Sequence, residues 1–85
     1  NLDDIHLTKL FAWEPHDFAT FTLGSPIRRI GYECWLRNIA VALGNAPTLP
    51  AIVSALNRRR NHTSALVREH VSWALAQHAN RENQR

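Results

Sequence analysis

Two segments of equal length decide the fold of this chain: WLRNIAVAL at residues 35–43 and VREHVSWAL at residues 67–75. In the first segment the apolar residues recur at the i, i+4, i+7 and i+8 spacing of a single buried helix face: Trp35, Ile39, Ala42 and Leu43. A shift of 32 residues places each of these on an apolar residue of the second segment: Val67, Val71, Ala74 and Leu75. Helix pairs that recur at about this period are typical of α-solenoids.

The rest of the chain favours an all-α fold, because no stretch alternates apolar and polar residues between turn residues as a half-buried strand would. Residues that cap or break helices divide the chain into further helices: Asp3 and Asp4, Pro15, Gly24, Ser25 and Pro26, Pro50, Asn61, and Thr63 or Ser64. We therefore predict a HEAT-like α–α superhelix fragment of about two helix pairs, with a leading capping helix from Asp3 to Phe11. A four- or five-helix bundle is the alternative.

Length and composition predict one small helical domain over residues 1–85. Eighty-five residues with 45% hydrophobic content suffice for a modest core but not for a two-domain enzyme. The chain has no methionine and opens on Asn1, which indicates a piece of a longer polypeptide. Residues 80–85 are wholly polar and are predicted to fray.

The apolar runs and the cysteine count point to a cytoplasmic protein without a membrane partner. The longest apolar run, residues 39–43, is far shorter than the roughly 20 residues that span a bilayer. The N-terminus shows no basic and then apolar leader. A single cysteine, Cys34, excludes an internal disulfide and a zinc site built from cysteines alone.

The charges are divided unequally along the chain. Residues 1–24 carry a net charge of −3, whereas residues 25–85 carry nine arginines and three glutamates, a net charge of +6. The planar guanidinium fork suits phosphate better than a lysine ammonium does. A polyanionic partner is therefore indicated, with nucleic acid first among the candidates. The alternative is a solvated, arginine-rich surface on an ordinary helical module.

The segment GSPIRRIG at residues 24–31, followed by Arg37-Asn38 and ALGN at residues 42–45, resembles the C-terminal HEAT-like domain of the epoxyqueuosine reductases. The segments LVREH at residues 66–70 and WAL at residues 73–75 resemble the second helix of a phycobilisome-lyase-type HEAT repeat. The resemblance covers nearly the whole chain. It implies that the chain is a C-terminal fragment of an enzyme that reduces epoxyqueuosine to queuosine at the wobble base of tRNA.

The same resemblance implies that the parent enzyme, an iron–sulfur protein and oxidoreductase, uses cobalamin and two [4Fe–4S] clusters. A cluster needs about four thiolates, and this chain has Cys34 alone. The cobalamin-binding core and the cluster domain are therefore expected to precede Asn1. We expect this fragment to contain no cofactor and no catalytic residue. Its histidines at residues 62, 70 and 78 are spaced by about 12 Å along a helix, too far apart to share a metal, so no metal site is expected either.

Seven polar residues are the candidate contacts to tRNA: Arg28, Arg29, Arg37, Asn38, Arg58, Arg59 and Arg60. The first two flank a turn beside Gly31, where a glycine lets a ligand or another backbone approach; the alternative is that one of them neutralises Glu33 or a helix C-terminus. Arg37 and Asn38 lie at the margin of the apolar stripe, where they line a concave face or tie adjacent repeats. The last three arginines form a cluster at a helix end, facing the anticodon stem or solvent.

The leading hypothesis is a domain whose arginines hold the anticodon stem-loop of tRNA while upstream catalytic domains perform the chemistry. Contacts of this kind position an RNA without reading its sequence. The alternative is a structural repeat that packs on the parent's cobalamin and iron–sulfur domains without direct RNA contact. An independent enzyme is a distant third hypothesis.

Overall fold

The structure, a computed structural model, describes residues 2–83. Over these residues the chain is all-α, with five α-helices and one 3-10 helix and no strand. The helices are α1 (Leu2–Phe11), α2 (Pro15–Phe21), the 3-10 helix (Pro26–Ile30), α3 (Tyr32–Asn45), α4 (Pro50–Arg58) and α5 (Ala65–Asn83). The predicted all-α class is confirmed.

The starts of several helices coincide with residues that cap or initiate helices. Ser25 precedes the 3-10 helix, and its Oγ accepts a hydrogen bond from the Ile27 N–H at 3.2 Å. Ser64 precedes α5 in the same way, and its Oγ accepts from the Val67 N–H at 3.4 Å. A proline occupies the first position of α2, of the 3-10 helix and of α4, where its missing N–H costs no helical hydrogen bond.

The helix bounds refine the sequence-based prediction at three places. Asp3 and Asp4 lie inside α1 rather than before it. α4 ends at Arg58, and Arg59 and Arg60 lie in the turn that follows. α5 continues through Asn83, and residues 84 and 85 lie outside the described residues; the predicted fraying of residues 80–85 stays a prediction.

The core is centred on α3, and its buried face is rotated from the predicted stripe. Ile39 and Leu43 are buried as predicted, but Leu36 and Ala40 are fully buried too, whereas Trp35 and Ala42 are only half-buried. The physical reason is that α3 is covered from several sides, since α5, α1, α4 and the 3-10 helix all pack against it. On α5 the predicted face is correct: Val67, Val71, Ala74 and His78 are buried, and Leu75 packs against the core.

α3 and α5 approach each other closely at Gly44. A Cβ at this glycine would lie 2.5 Å from Trp73 Cζ3 and 3.0 Å from Ala74 Cα. Both distances are shorter than the 3.5–4.0 Å of an ordinary carbon contact. The absence of a side chain at residue 44 therefore sets the distance between the two helices.

The helices pack as two layers. α3 packs along α5 and α1 packs against α4, while α1 also contacts α3 and α4 also contacts α5. The C-terminus of α5 is fixed to the C-terminus of α3, because Arg81 donates to the carbonyl oxygens of Gly44 and Ala46. This arrangement is compatible with two stacked helix pairs, and the HEAT-like assignment remains a prediction.

Candidate nucleic-acid interface

One end of the molecule collects most of the arginines. α3 and α5 begin there, since Ser64 Oγ donates to Glu33 Oε2 at 2.9 Å. α1 and α4 end there, since Arg59 after α4 bonds the Phe11 carbonyl at the end of α1. The segments that meet here contain six of the chain's nine arginines. We call them the arginine end: Arg28, Arg29, Arg58, Arg59, Arg60 and Arg68.

Arg59 is turned into the fold rather than toward solvent. Its Nε donates to the Phe11 carbonyl at 3.2 Å, and its Nη2 donates to the Trp13 carbonyl at 2.8 Å. Its Nη1 lies 3.8 Å from Glu14 Oε1, and the side chain is 13% exposed. The last turn of a helix leaves its carbonyls without helical partners, and Arg59 supplies partners to the C-terminal region of α1. Arg59 is therefore a structural residue and leaves the set of candidate RNA contacts.

Arg28 and Arg29 are exposed on the 3-10 helix. Within residues 2–83 neither guanidinium forms a hydrogen bond or an ion pair, and Glu33 instead accepts from Ser64. Both arginines line an open groove of about 430 Å³ together with Gly24, Ser25 and Pro26. Gly31 follows with φ +83°, and a Cβ there would meet nothing within 4 Å. The glycine is thus required by the backbone conformation, and within the described residues no other part of the chain approaches it.

Arg58 and Arg60 are also exposed, and within the described part of the chain their guanidinium groups have no protein partner. Arg58 lines a cavity of about 520 Å³ between α1 and α4, together with Thr8, Lys9 and Ser54. Lys9 was not among the predicted contacts, because it stands in the acidic first part of the sequence. Only the packing of α1 against α4 brings its ammonium to the same cavity as Arg58.

Arg68 was not predicted either, and it organises the loop at the arginine end. Its Nη1 donates to the carbonyls of His62 at 2.7 Å and Thr63 at 2.9 Å. The side chain remains exposed. Arg68 thus fixes the backbone just before α5 while keeping its charge near the surface.

Arg37 and Asn38 lie apart from the arginine end, on the second turn of α3. Arg37 Nε donates to Asn38 Oδ1 at 3.1 Å, so this hydrogen bond joins neighbours on one helix. Among the described residues Arg37 forms no bond to another helix. Arg59, in the turn after α4, and Arg81, on α5, bind carbonyls near the C-terminal ends of α1 and α3 instead.

Two titratable groups in the arginine end are shifted by their packing. Burial lowers the pKa of His62, and the positive charge of Arg59 lowers it further. Burial raises the pKa of Tyr32, whose hydroxyl donates to the Trp13 carbonyl. In both cases the neutral form is favoured.

Two further histidines, His70 and His78, form hydrogen bonds within the fold. His78 is 2% exposed; its Nε2 bonds the Leu43 carbonyl at 2.8 Å and its Nδ1 bonds Thr48 Oγ1 at 2.7 Å. Since a carbonyl only accepts, Nε2 carries the proton and Nδ1 accepts from the Thr48 hydroxyl. His70 Nδ1 bonds the Leu66 carbonyl at 2.8 Å. Over residues 2–83 no three histidine, cysteine or acidic side chains form a group that could bind a metal.

Comparison with known proteins gives the chain a family context. It is 60% identical to the epoxyqueuosine reductase of Xanthomonas campestris pv. campestris over 78 residues. These residues are 92% of this chain and 22% of that protein. Its identity to the epoxyqueuosine reductase of Pseudomonas aeruginosa is 54% over 92% of this chain and 22% of that protein. The epoxyqueuosine reductase of Escherichia coli K12 is 52% identical to the chain over 91% of this chain and 20% of that protein.

The chain is homologous to one part of the epoxyqueuosine reductases. The family predicted from the segment at residues 24–45 is thus confirmed. The chain spans about a fifth of the length of these curated relatives. Comparison with protein families gave no match, and comparison with solved structures gave no significant match.

The donor atoms of this chain do not fit an iron–sulfur cluster. A [4Fe–4S] cluster is bound by about four cysteine thiolates, and the chain has one half-buried cysteine, Cys34.

Among the helices described, none combines the length and the apolar character needed to cross a membrane.

Proposed function

We propose that this chain is the C-terminal, HEAT-like domain of an epoxyqueuosine reductase and that it positions the anticodon stem-loop of tRNA. The rest of that enzyme, with its cobalamin and two [4Fe–4S] clusters, reduces epoxyqueuosine to queuosine at the wobble position. Arg28, Arg29, Arg58 and Arg60 contact the phosphate backbone of the tRNA. Arg37, with Asn38, lies farther along α3 and extends the same contact.

One observation carries the proposal: the arginine end holds four exposed arginines that have no protein partner within residues 2–83. Keeping like charges together on a surface is unfavourable unless an anion compensates them. Guanidinium groups form bidentate hydrogen bonds with phosphate oxygens. Such contacts set the position of a nucleic acid and carry no sequence information by themselves, which suits a domain that holds the tRNA for chemistry done elsewhere.

The test is a titration of tRNA into the full-length enzyme at several salt concentrations, comparing the wild type with R28Q/R29Q. Because each lost phosphate contact removes about one unit from the slope of log K against log salt, we expect the slope to fall by about 2. Binding should weaken at low salt and the difference should shrink at high salt.

The matched control is A79E/N80E, which changes the net charge by the same amount on exposed positions of α5, at the other end of the molecule. The proposal predicts that this variant retains most of its affinity and its salt dependence. Equal losses in both variants would indicate a general charge effect. Unchanged binding in R28Q/R29Q would favour the alternative, in which the domain packs on the cofactor domains without touching RNA.

A further inference from the structure

Large apolar side chains are exposed on one short segment. Phe21 is 65% exposed, Leu23 66%, Ile27 43% and Ile30 44%. These four lie within ten consecutive residues, and in the described part of the chain only one other large apolar side chain, that of Trp73, is comparably exposed. We call Phe21, Leu23, Ile27 and Ile30 the apolar patch. Single exposed apolar residues are common in proteins, but a concentration of this kind marks an interaction surface.

The 3-10 helix separates apolar from charged side chains. A 3-10 helix has about three residues per turn, so side chains three residues apart point in the same direction. Ile27 and Ile30 therefore share one face, and Arg28 and Arg29 occupy the other two. The 3-10 helix, five residues long, can therefore present an apolar face to one partner and guanidinium groups to another.

The apolar patch is also held in place from within. Phe21 stacks on Trp13 with ring centroids 5.1 Å apart, and Trp13 stacks on Trp35 at 5.5 Å. Ser25 caps the 3-10 helix, and Gly24 and Gly31 supply the positive φ angles on either side. A surface that is already ordered loses little conformational entropy on binding.

We propose that the apolar patch docks this domain onto the remainder of its own polypeptide, leaving Arg28 and Arg29 at the edge of that contact to face the RNA. The docking contact rests on the proposed function in that the chain is part of a longer enzyme, and the orientation of Arg28 and Arg29 rests on the proposed contact with RNA. The curated relatives are about five times as long as the segment they share with this chain, so most of such a protein is available as the occupant.

The chemistry of the patch argues against RNA as its occupant. RNA bases stack on aromatic rings and on guanidinium groups, whereas three of the four side chains, Leu23, Ile27 and Ile30, offer neither a π-face nor a charge. The fourth, Phe21, already stacks on Trp13. A second copy of the chain is also disfavoured. A two-fold interface brings the same surface of both copies together, which would oppose Arg28 and Arg29 to their equivalents.

The experiment places a photo-cross-linking amino acid, p-benzoylphenylalanine, at residue 23 of the full-length enzyme. The matched control places it at residue 79, an exposed position on α5. After irradiation, cross-linked peptides are identified by mass spectrometry in a mixture of isotopically light and heavy protein, with and without tRNA. We expect cross-links within one molecule from residue 23 to segments outside these 85 residues, and none from residue 79.

Three results would overturn the docking proposal: cross-links from residue 23 that join light and heavy molecules, cross-links to tRNA, or no cross-link beyond the domain. The failure of this proposal is distinguishable from that of tRNA binding, because the titration of R28Q/R29Q uses no cross-linker. A second variant, L23D, removes the apolar contact directly. We expect limited proteolysis to release the domain from full-length L23D several-fold faster than from A79D, and equal rates would contradict the docking surface.

Discussion

The exposed arginines of the arginine end and Arg81 at the other end differ in what they bind, whereas Arg59 resembles Arg81 in binding carbonyls near a helix end. At the arginine end, Arg28, Arg29, Arg58 and Arg60 are exposed and unpaired within the described residues. At the other end, Arg81 is half-buried and donates to the carbonyls of Gly44 and Ala46. The difference follows from what each guanidinium can reach. Carbonyls at a helix C-terminus lack helical partners, and they bind the arginine that the packing brings to them.

The largest effect is expected from R81M, which leaves the Gly44 and Ala46 carbonyls without their charged donor. Because hydrogen bonds to charged groups contribute about 1.5–3 kcal/mol each, we expect the free energy of unfolding to fall by about 3 kcal/mol. That corresponds to a melting temperature lower by about 12 °C or more for a domain of this size. Urea denaturation and thermal melts followed by circular dichroism measure both quantities.

The control for R81M is R37M, which removes the same charge and a side chain of the same length from another half-buried helical position. Its bond to Asn38 joins neighbours on α3, so we expect a change within about 0.5 kcal/mol. If R37M proved as destabilising as R81M, the stability contributed by Arg81 could not be assigned to its bonds with the Gly44 and Ala46 carbonyls.

The second prediction compares three consecutive arginines, of which Arg59 binds carbonyls and Arg58 and Arg60 are exposed. R59M removes the donor to the Phe11 and Trp13 carbonyls, and we expect it to destabilise the domain by about 2 kcal/mol. R58M and R60M should each change stability by less than about 0.5 kcal/mol and should instead weaken tRNA binding by the full-length enzyme. Three equal losses of stability would contradict the assignment of Arg59 alone to the fold.

The third prediction concerns the close approach of α3 and α5 near the Arg81 end. In G44A the new Cβ meets the backbone of Ala74, which cannot rotate away, as well as the exposed ring of Trp73. Overpacking costs about 1–3 kcal/mol, and the better helix propensity of alanine offsets about 1 kcal/mol of that. We expect a net loss of about 1 kcal/mol in urea denaturation, with A42G as the control for propensity at a half-buried site. A gain in stability would show that the two helices separate without cost.

The sequence was sufficient to predict those features that neighbouring residues along the chain determine. Periodicity over nine residues identified α3 and α5, and Ser25, Pro26 and Pro50 located helix starts because capping acts within a few residues. The family came from an ordered segment of about twenty residues. The HEAT-like arrangement and the RNA contacts remain predictions, because they depend on features beyond these local patterns.

The sequence was insufficient where distant segments meet. Arg58, Arg59 and Arg60 look alike in sequence, and only a helix end 46–48 residues away singles out Arg59. Lys9 and Arg58 share a cavity for the same reason. The rotation of the α3 stripe toward Leu36 and Ala40 depends on which helices cover α3, and spacing along one helix cannot show this.

The smallest effect concerns the protonation of His62 in the loop before α5. His62 Nδ1 accepts a hydrogen bond from the Ser64 N–H at 3.1 Å, which a protonated ring cannot do. Its pKa lies below the ordinary value of 6.5 because of burial and then of Arg59, while Glu33 and Glu14 oppose the shift and Arg68 adds to it. The unfolded chain therefore binds the proton first, so the contribution of neutral His62 is complete above pH 6.5 and is lost as the pH falls through its folded pKa.

H62Q isolates this contribution from that of the other histidines, because glutamine retains a hydrogen-bond acceptor but does not titrate. We expect the wild type to lose more free energy of unfolding than H62Q between pH 7.5 and pH 5, as measured by urea denaturation at each pH. Identical pH profiles would mean that the proton enters the loop at no cost. The surroundings of His62 would then tolerate a second positive charge beside Arg59, and the hydrogen bond from the Ser64 N–H would contribute nothing to stability.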